Sequence, residues 1–156
     1  MKRFLIFLAF VIIFIALGIV DKDLLHLRKK YPDMKVIFYT TSKDQLQNHN
    51  NTVYDGVYHQ VRCDAKDAVK VKNALNDIKG MSVSFWGTRK DIDYILDLYD
   101  VKIISEKWQN NILYIYGYSD LIFVPAFKVN DDYINIQLSF RKNRVTAGVP
   151  IILGSY

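Results

Sequence analysis

Cysteine, histidine and proline are scarce in this chain of 156 residues, which holds one Cys, three His and three Pro. A single thiol, Cys63, cannot form an intramolecular disulfide, so the sequence excludes a disulfide-stapled scaffold. His59 and Cys63 are four residues apart, which in an extended strand separates them by about 13 Å, too far to share one zinc ion. We therefore expect no metal and no other cofactor.

A catalytic constellation is also lacking. No His–Asp or His–Asn arrangement accompanies Cys63, which is expected to be a small buried residue. The carboxylates Asp91, Asp93, Asp97 and Asp100 alternate with the apolar residues of one predicted helix, as is typical of a solvated helix face. The formal net charge of +5 comes without any block of five like charges, so it is weak evidence for an anionic partner. The sequence predicts that the protein is not an enzyme.

One long apolar run is present at the N-terminus. Lys2 and Arg3 precede the uncharged residues 4–20, a pattern typical of a signal peptide or a membrane anchor. The run is short for a hydrocarbon core of about 30 Å, and small residues would allow cleavage near Gly18. Apolar residues continue past Gly18, however, which favours a retained anchor. Both alternatives place residues from about 21 onward outside the cytoplasm, because Lys2 and Arg3 stay inside.

The rest of the chain divides into a linker helix at 21–33 and an extracytoplasmic domain at 34–156. Runs of β-branched and aromatic residues predict strands, and apolar residues at spacings of three and four predict helices. Pro125 interrupts the apolar stretch 121–127, which is expected to be irregular. The predicted strands are 34–42, 52–63 with Gly56 at a bulge or turn, 81–87, 101–108 and 112–119; the predicted loop is 43–51; the predicted helices are 65–79, ended by Gly80, and one that begins at the capping box Thr88–Asp91.

The stretch from Tyr133 to Arg141 alternates polar and apolar residues with period two, which predicts a strand with one buried face. If Lys142-Asn143 is a two-residue turn, every apolar residue meets an apolar one across the hairpin. The expected pairs are Phe140 with Val145, Leu138 with Ala147, Ile136 with Val149 and Ile134 with Ile151. Pro150 cannot donate to a ladder, so the last strand lies at a sheet edge or Pro150 lies on an unpaired side of it.

These elements predict an α+β fold: a mainly antiparallel sheet with two helices on one face. The C-terminal third also resembles the YwmB-like family of exported bacterial proteins, whose domains are TATA-box-binding-protein-like in fold. The resemblance implies a curved antiparallel sheet backed by helices, an exported location and no established activity, so it brings no catalytic residues. The segments that carry it are Ile115–Ser119, Ile134–Arg141 and Gly148–Ile152, with Tyr156.

Polar residues on one side of the predicted hairpin are the candidate binding residues. They are Asn135, Gln137, Arg141 and Arg144, joined by Tyr116 and Tyr118 if their strand lies next to the hairpin. Tyrosine with arginine and asparagine is typical of recognition surfaces. Arg141 and Arg144 are expected to face each other, and like charges there repel unless an anion or a carboxylate bridges them. The alternative is a solvated face on which Glu106 or an aspartate neutralises the pair.

The function expected from the sequence is binding by a membrane-tethered domain, with residues 4–20 in the membrane and an envelope component or protein as the partner. The alternative is a secreted domain that binds a small anionic ligand through Arg141 and Arg144. Nucleic acid is not expected as a partner, because an exported domain does not meet chromosomal DNA and the polar face lacks a pair of phenylalanine wedges. Trp86 and Trp108 are expected in the core or at a sheet edge.

Overall fold

The structure is a computed structural model that describes residues 23–42 and 52–152. The apolar segment predicted at 4–20, the loop predicted at 43–51 and Tyr156 lie outside these ranges. Within them, no helix is both long enough and apolar enough to cross a membrane.

Eight antiparallel strands form one sheet whose order differs from the order of the strands in the chain. The order is β2-β3-β1-β4-β10-β9-β6-β5, and β7 and β8 form a separate two-stranded hairpin. The bounds are β1 Lys35–Thr40, β2 Thr52–Tyr54, β3 His59–Asp64, β4 Ile78–Trp86, β5 Lys102–Gln109, β6 Ile112–Tyr118, β7 Phe127–Val129, β8 Asp132–Ile134, β9 Ile136–Arg141 and β10 Arg144–Val149.

In the described residues, three short helices cover one face of this sheet: a 3₁₀ helix at Leu24–Lys29, α1 at Ala68–Ala74 and α2 at Arg89–Leu98. The predicted capping box at the start of α2 is confirmed, since the Thr88 and Asp91 side chains each bond the other's backbone. Ile92 and Ile95 of α2 are fully buried against the apolar side of the sheet. The predicted α+β class, with a mainly antiparallel sheet and helices on one face, describes this architecture.

The 3₁₀ helix belongs to the core of the domain. Leu24, Leu25 and Leu27 are buried in the main apolar cluster. Immediately after the helix, the ring of Tyr31 stacks on Phe85 of β4 with 3.8 Å between the ring centroids. Residues 23–33 of the segment expected to link membrane and domain therefore contribute to packing of the domain itself, because the three leucines leave water together.

The predicted C-terminal hairpin is present with the predicted register at its tip. Phe140 pairs with Val145 and Leu138 with Ala147. Both turn residues, Lys142 and Asn143, have positive φ, as a type I′ turn requires. The ladder between these strands ends at Gly148 and Gln137, so the two further pairs expected beyond it are not part of it.

The last strand, β10, lies inside the sheet. It pairs with β4 on one side and β9 on the other, so the edge-strand alternative is wrong. Pro150 directly follows the last residue of β10, Val149, and therefore interrupts neither ladder. The local sequence held no information about β4 as the second neighbour.

Two predicted elements in the first half of the domain differ from the structure. The single strand predicted at 52–63 is two strands, β2 and β3, whose connection contains Gly56 at a φ of 96°. Of the helix predicted at 65–79, only Ala68–Ala74 is helical, as α1. Ile78 instead begins β4, where it pairs with Thr40, so Gly80 lies within a strand and does not end a helix. Long-range pairing with β1 thus overrides the local helical period.

The strand predicted from Tyr133 to Arg141 is divided at Asn135. Its first part, β8, pairs with β7 in the separate hairpin, and its second part, β9, enters the main sheet. The stretch 121–126, before β7, is irregular, as predicted from Pro125. The small hairpin was missed because β7 is only three residues long.

Candidate functional site

The sheet face opposite the helices, which we call the open face, carries a row of polar side chains across its centre. Cross-strand pairing puts Lys35 beside Ser84, Ser84 beside Thr146, and Thr146 beside Ser139. Neighbouring strands are about 4.8 Å apart, so this row crosses β1, β4, β10 and β9 within about 15 Å. Strand alternation alone sets which side chains reach the open face.

A groove with a volume of about 420 Å³ lies over this row. Hydroxyl groups contribute to its lining, from Ser82, Ser84, Ser139 and Thr146. Five basic side chains also line it: Lys35, Arg62, Arg141, Lys142 and Arg144. No carboxylate is among the described residues that line the groove, so the charge of its lining is positive, and its uncharged polar groups are mainly hydroxyls.

Most of this positive charge lacks a carboxylate partner. Lys35 is the exception, because its Nζ lies 2.6 Å from Oδ1 of Asp64. Arg62 donates to the side-chain oxygen of Gln60 at 3.1 Å, and Arg144 donates to the hydroxyl of Ser84 at 3.0 Å. Within residues 23–42 and 52–152, no ion pair joins Arg62, Arg141 or Arg144 to an acid.

Arg141 and Arg144 flank the hairpin turn and are directly opposite each other in the ladder, as predicted. We call them the arginine pair. Glu106, expected as a neutralising group, instead accepts from Nη1 of Arg89 in α2 at 3.1 Å, on the helix side of the sheet. The alternative in which Glu106 neutralises the arginine pair is therefore wrong.

Trp86 stands beside the arginine pair. It is the last residue of β4, pairs with Arg144 across the ladder and leaves 78% of its surface exposed. The expectation that Trp86 lies in the core or at a sheet edge is wrong, because β4 is an inner strand and Trp86 is on its open face. Trp108 lies on the edge strand β5, as expected.

One end of the groove is bounded by the chain that follows β10. The backbone N–H of Ile152 donates to Oε1 of Gln137 at 3.0 Å, and Ile152 lines the groove. This backbone passes so close to Gly148 that a Cβ there would lie 2.6 Å from the Ile152 nitrogen. Gln137 is accordingly buried and holds this chain segment in place.

Asn135 does not lie on the exposed polar face that the sequence predicts. It is only 2% exposed, and its side chain bonds the backbone three times: it donates to Ser119 O at 2.7 Å and Ile122 O at 3.2 Å, and accepts from Ser119 N at 2.9 Å. The strand alternation that predicted exposure fails at Asn135 because the chain leaves β8 there before it enters β9. Asn135 fixes the loop after β6.

The two predicted tyrosines lie on the neighbouring strand but outside the groove. β6 pairs with β9, as required, and Tyr116 is opposite Gln137. Nζ of Lys107 lies 5.3 Å from the centre of the Tyr116 ring. Tyr118 lines a separate cavity beside the β7–β8 hairpin, and its hydrogen bond to Asp120 raises its pKa. Of the six predicted binding residues, the groove collects only Arg141 and Arg144.

The groups considered for other chemistry are apart from the groove. Burial raises the pKa of the Cys63 thiol to about 11, so this sulfur is protonated near neutral pH and is a poor nucleophile. His59 packs against the ring of Tyr54 with 4.7 Å between centroids. In the part of the chain that the structure describes, no three His, Cys, Asp or Glu side chains are grouped as a metal site would need.

Comparisons of the chain with protein-family models, with curated proteins and with solved structures give no match. The resemblance to the YwmB-like family stays a prediction from the sequence.

Proposed function

We propose that the chain is a binding protein of the cell envelope whose groove takes an anionic group at the arginine pair. The observation that carries the proposal is the lining of the groove, which has five basic side chains and no carboxylate among the described residues. Arg141 and Arg144 are opposite each other in the ladder, where like charges repel, and an anion that accepts charge-assisted hydrogen bonds from both side chains would relieve that repulsion.

The hydroxyl groups of the groove support the same ligand chemistry. Ser84 and Thr146 are neighbours in the row directly adjacent to Trp86 and Arg144 along β4 and β10. A hydroxyl can donate to an anionic oxygen, so an anion at the arginine pair has neutral donors beside the charged ones. Either partner expected from the sequence could carry this anionic group, since both an envelope component and a small molecule can be anionic.

The location outside the cytoplasm rests on the sequence of residues 1–23, where Lys2 and Arg3 precede the apolar run. The TATA-box-binding-protein-like fold rests on the family resemblance. A single-pass anchor would hold the groove near the membrane surface, and a cleaved signal would release the domain. Duplex DNA is a weaker candidate ligand, because an exported protein does not meet it. In either form the domain acts by binding without turnover.

Anion titration of the full chain, purified in a non-ionic detergent, tests the proposal. Inorganic phosphate is titrated at low ionic strength by calorimetry into the wild type and into Arg141→Gln/Arg144→Gln. We expect the double variant to bind at least tenfold more weakly, because both charged donors are lost. The matched control is Arg28→Gln/Lys29→Gln, which removes two positive charges from the exposed side of the 3₁₀ helix. Equal losses in the two double variants, or no binding to the wild type, would contradict the proposal.

A further inference from the structure

Trp86 is the most exposed of the large apolar side chains in the described residues. Tryptophan is usually highly buried, and an inner strand of an eight-stranded sheet offers it buried positions on the other face. Ring contacts are found for several tyrosines, yet within the described ranges no aromatic ring packs on the indole of Trp86. An indole left open to water beside a charged groove needs an explanation from function.

The ladder fixes where this indole lies relative to the charges. Trp86, Arg144 and Arg141 form one row across β4, β10 and β9. With strands about 4.8 Å apart, Trp86 is one spacing from Arg144 and two from Arg141. An anion held midway between Arg144 and Arg141 would therefore lie about 7 Å from Trp86 along this row, on the same face of the sheet. Ile37 and Ile152 add apolar surface to the same groove.

We propose that the natural ligand is a small molecule in which an aromatic or heteroaromatic ring carries the anionic group, with the ring stacked on Trp86 and the anion at the arginine pair. This inference rests on the proposed function and specifies its ligand class. A tryptophan face attracts flat rings, and a neighbouring arginine fork binds phosphate or carboxylate oxygens. The pairing of Trp86 with Arg144 puts both kinds of contact on neighbouring strands of the open face.

Two probes with the same anion separate the contribution of the ring from that of the charge. Phenyl phosphate and methyl phosphate are titrated into the full chain in non-ionic detergent. Stacking on an aromatic side chain is expected to strengthen binding roughly tenfold, so phenyl phosphate binds about tenfold tighter than methyl phosphate. Trp86→Ala should remove this preference, so that the two probes bind with similar affinity. Trp86→Phe should retain part of it, because a smaller ring face remains.

Tryptophan fluorescence gives a second readout at the site itself. In Trp108→Phe, the remaining tryptophan is Trp86, since the chain has two. We expect phenyl phosphate to change the emission of this variant strongly and methyl phosphate to change it little. Trp108→Phe should also show the wild-type affinity for both probes, because Trp108 lies on the edge strand β5, four strands from β4 in the sheet.

The outcomes distinguish this inference from the proposed function. If methyl phosphate binds through the arginine pair but phenyl phosphate binds no tighter, the ring hypothesis fails and the anion site stands. If Trp86→Ala weakens both probes equally, Trp86 shapes the anion site without stacking, and the inference fails as well. If neither probe binds the wild type, both fail. Thermal unfolding of Trp86→Ala verifies its fold, and little change is expected because the side chain is so exposed.

Discussion

At the scale of single residues, Asp91 joins three parts of the domain. It accepts a hydrogen bond from the hydroxyl of Tyr31 at 2.6 Å and from the backbone N–H of Thr88 at 2.7 Å, and Nζ of Lys30 lies 3.7 Å away. Burial acts to raise the pKa of Asp91, but the hydrogen bonds from Tyr31 and Thr88 outweigh it and hold the pKa below the usual value. The ionised form is therefore the one that stabilises the fold.

Replacing Asp91 by asparagine is expected to lower the free energy of unfolding by about 1–2 kcal/mol at pH 7, because charge-assisted bonds to Tyr31 and the α2 cap are weakened. Since the folded pKa lies below the unfolded value of about 3.9, the stability due to ionised Asp91 is present above that value and is lost as the pH falls through the folded pKa. Urea unfolding at pH 7 and at pH 3 should show a smaller acid loss in Asp91→Asn than in the wild type.

Asp97→Asn is the matched control for this titration, since Asp97 is exposed on the same helix. It should unfold like the wild type at both pH values. Parallel acid losses in the wild type and Asp91→Asn would show that Asp91 does not titrate with folding.

Sequence reasoning identified only the local half of this residue's role. The spacing of Thr88 and Asp91 predicted the capping box because a helix start is built from neighbours in the chain. Tyr31 is sixty residues from Asp91, and its hydrogen bond arises only after the 3₁₀ segment packs beside α2. The arginine pair is another local feature: Arg141 and Arg144 flank one turn, so the sequence predicted that they face each other. The pairing of Trp86 with Arg144 is long-range, because the two strands are distant in the chain, and the sequence did not predict it.

At the scale of elements, the turn between β9 and β10 has type I′ geometry, but Lys142 is a poor residue for a position with positive φ. Lys142 has a φ of 47° and Asn143 a φ of 61°. The turn between β5 and β6 has the same geometry with two asparagines, at φ 52° for Asn110 and 61° for Asn111. Positive φ is strained for a side chain such as lysine, whereas asparagine tolerates it.

Lys142→Asn is therefore expected to stabilise the protein by about 0.5–1 kcal/mol, measured by urea unfolding. Lys142→Ala is the control, because it removes the same positive charge and leaves a side chain that strains at positive φ. The alanine variant should gain little or nothing. Equal gains in the two variants would mean that relief of charge repulsion near the arginine pair, and not backbone strain, limits the hairpin.

A strand or helix was predicted correctly where its apolar period and the residues of the adjoining turn indicated the same local structure. The β9–β10 register followed from strict alternation and a two-residue turn. The end of the helix predicted at 65–79 was wrong because Ile78 pairs with Thr40 on β1, a contact that no local period reveals. Asn135 was predicted on the binding face because the alternation continued through a position where the chain passes from one sheet to another.

At the scale of the whole molecule, the groove is a product of sheet order. Arg62 and Lys35 come from β3 and β1, while the arginine pair comes from β9 and β10 near the end of the chain. They share one groove only because β4 lies between β1 and β10. The sequence therefore predicted the arginine pair alone, and the remaining basic residues required the long-range order of the strands.

The location of the domain yields a prediction that uses exposed lysines on several of its elements. Lys66, Lys102 and Lys128 are exposed in the folded domain, so a membrane-impermeant amine-reactive reagent can label them without unfolding. If residues from about 21 onward lie outside the cytoplasm, labelling of intact cells should match labelling after lysis. A cytoplasmic protein in the same cells should be labelled only after lysis.

Lys2→Glu/Arg3→Glu tests the physical basis of that orientation. Positive charges flanking an apolar segment are retained on the cytoplasmic side, and acidic residues do not substitute for them. The variant should therefore show reduced labelling in intact cells, while its labelling after lysis stays the same. Labelling of the wild type only after lysis would place the domain in the cytoplasm and overturn the envelope location, although the phosphate titration of the groove would be unaffected. The mass of the labelled chain separates the two exported forms, because a retained anchor keeps residues 4–20 and cleavage near Gly18 removes them.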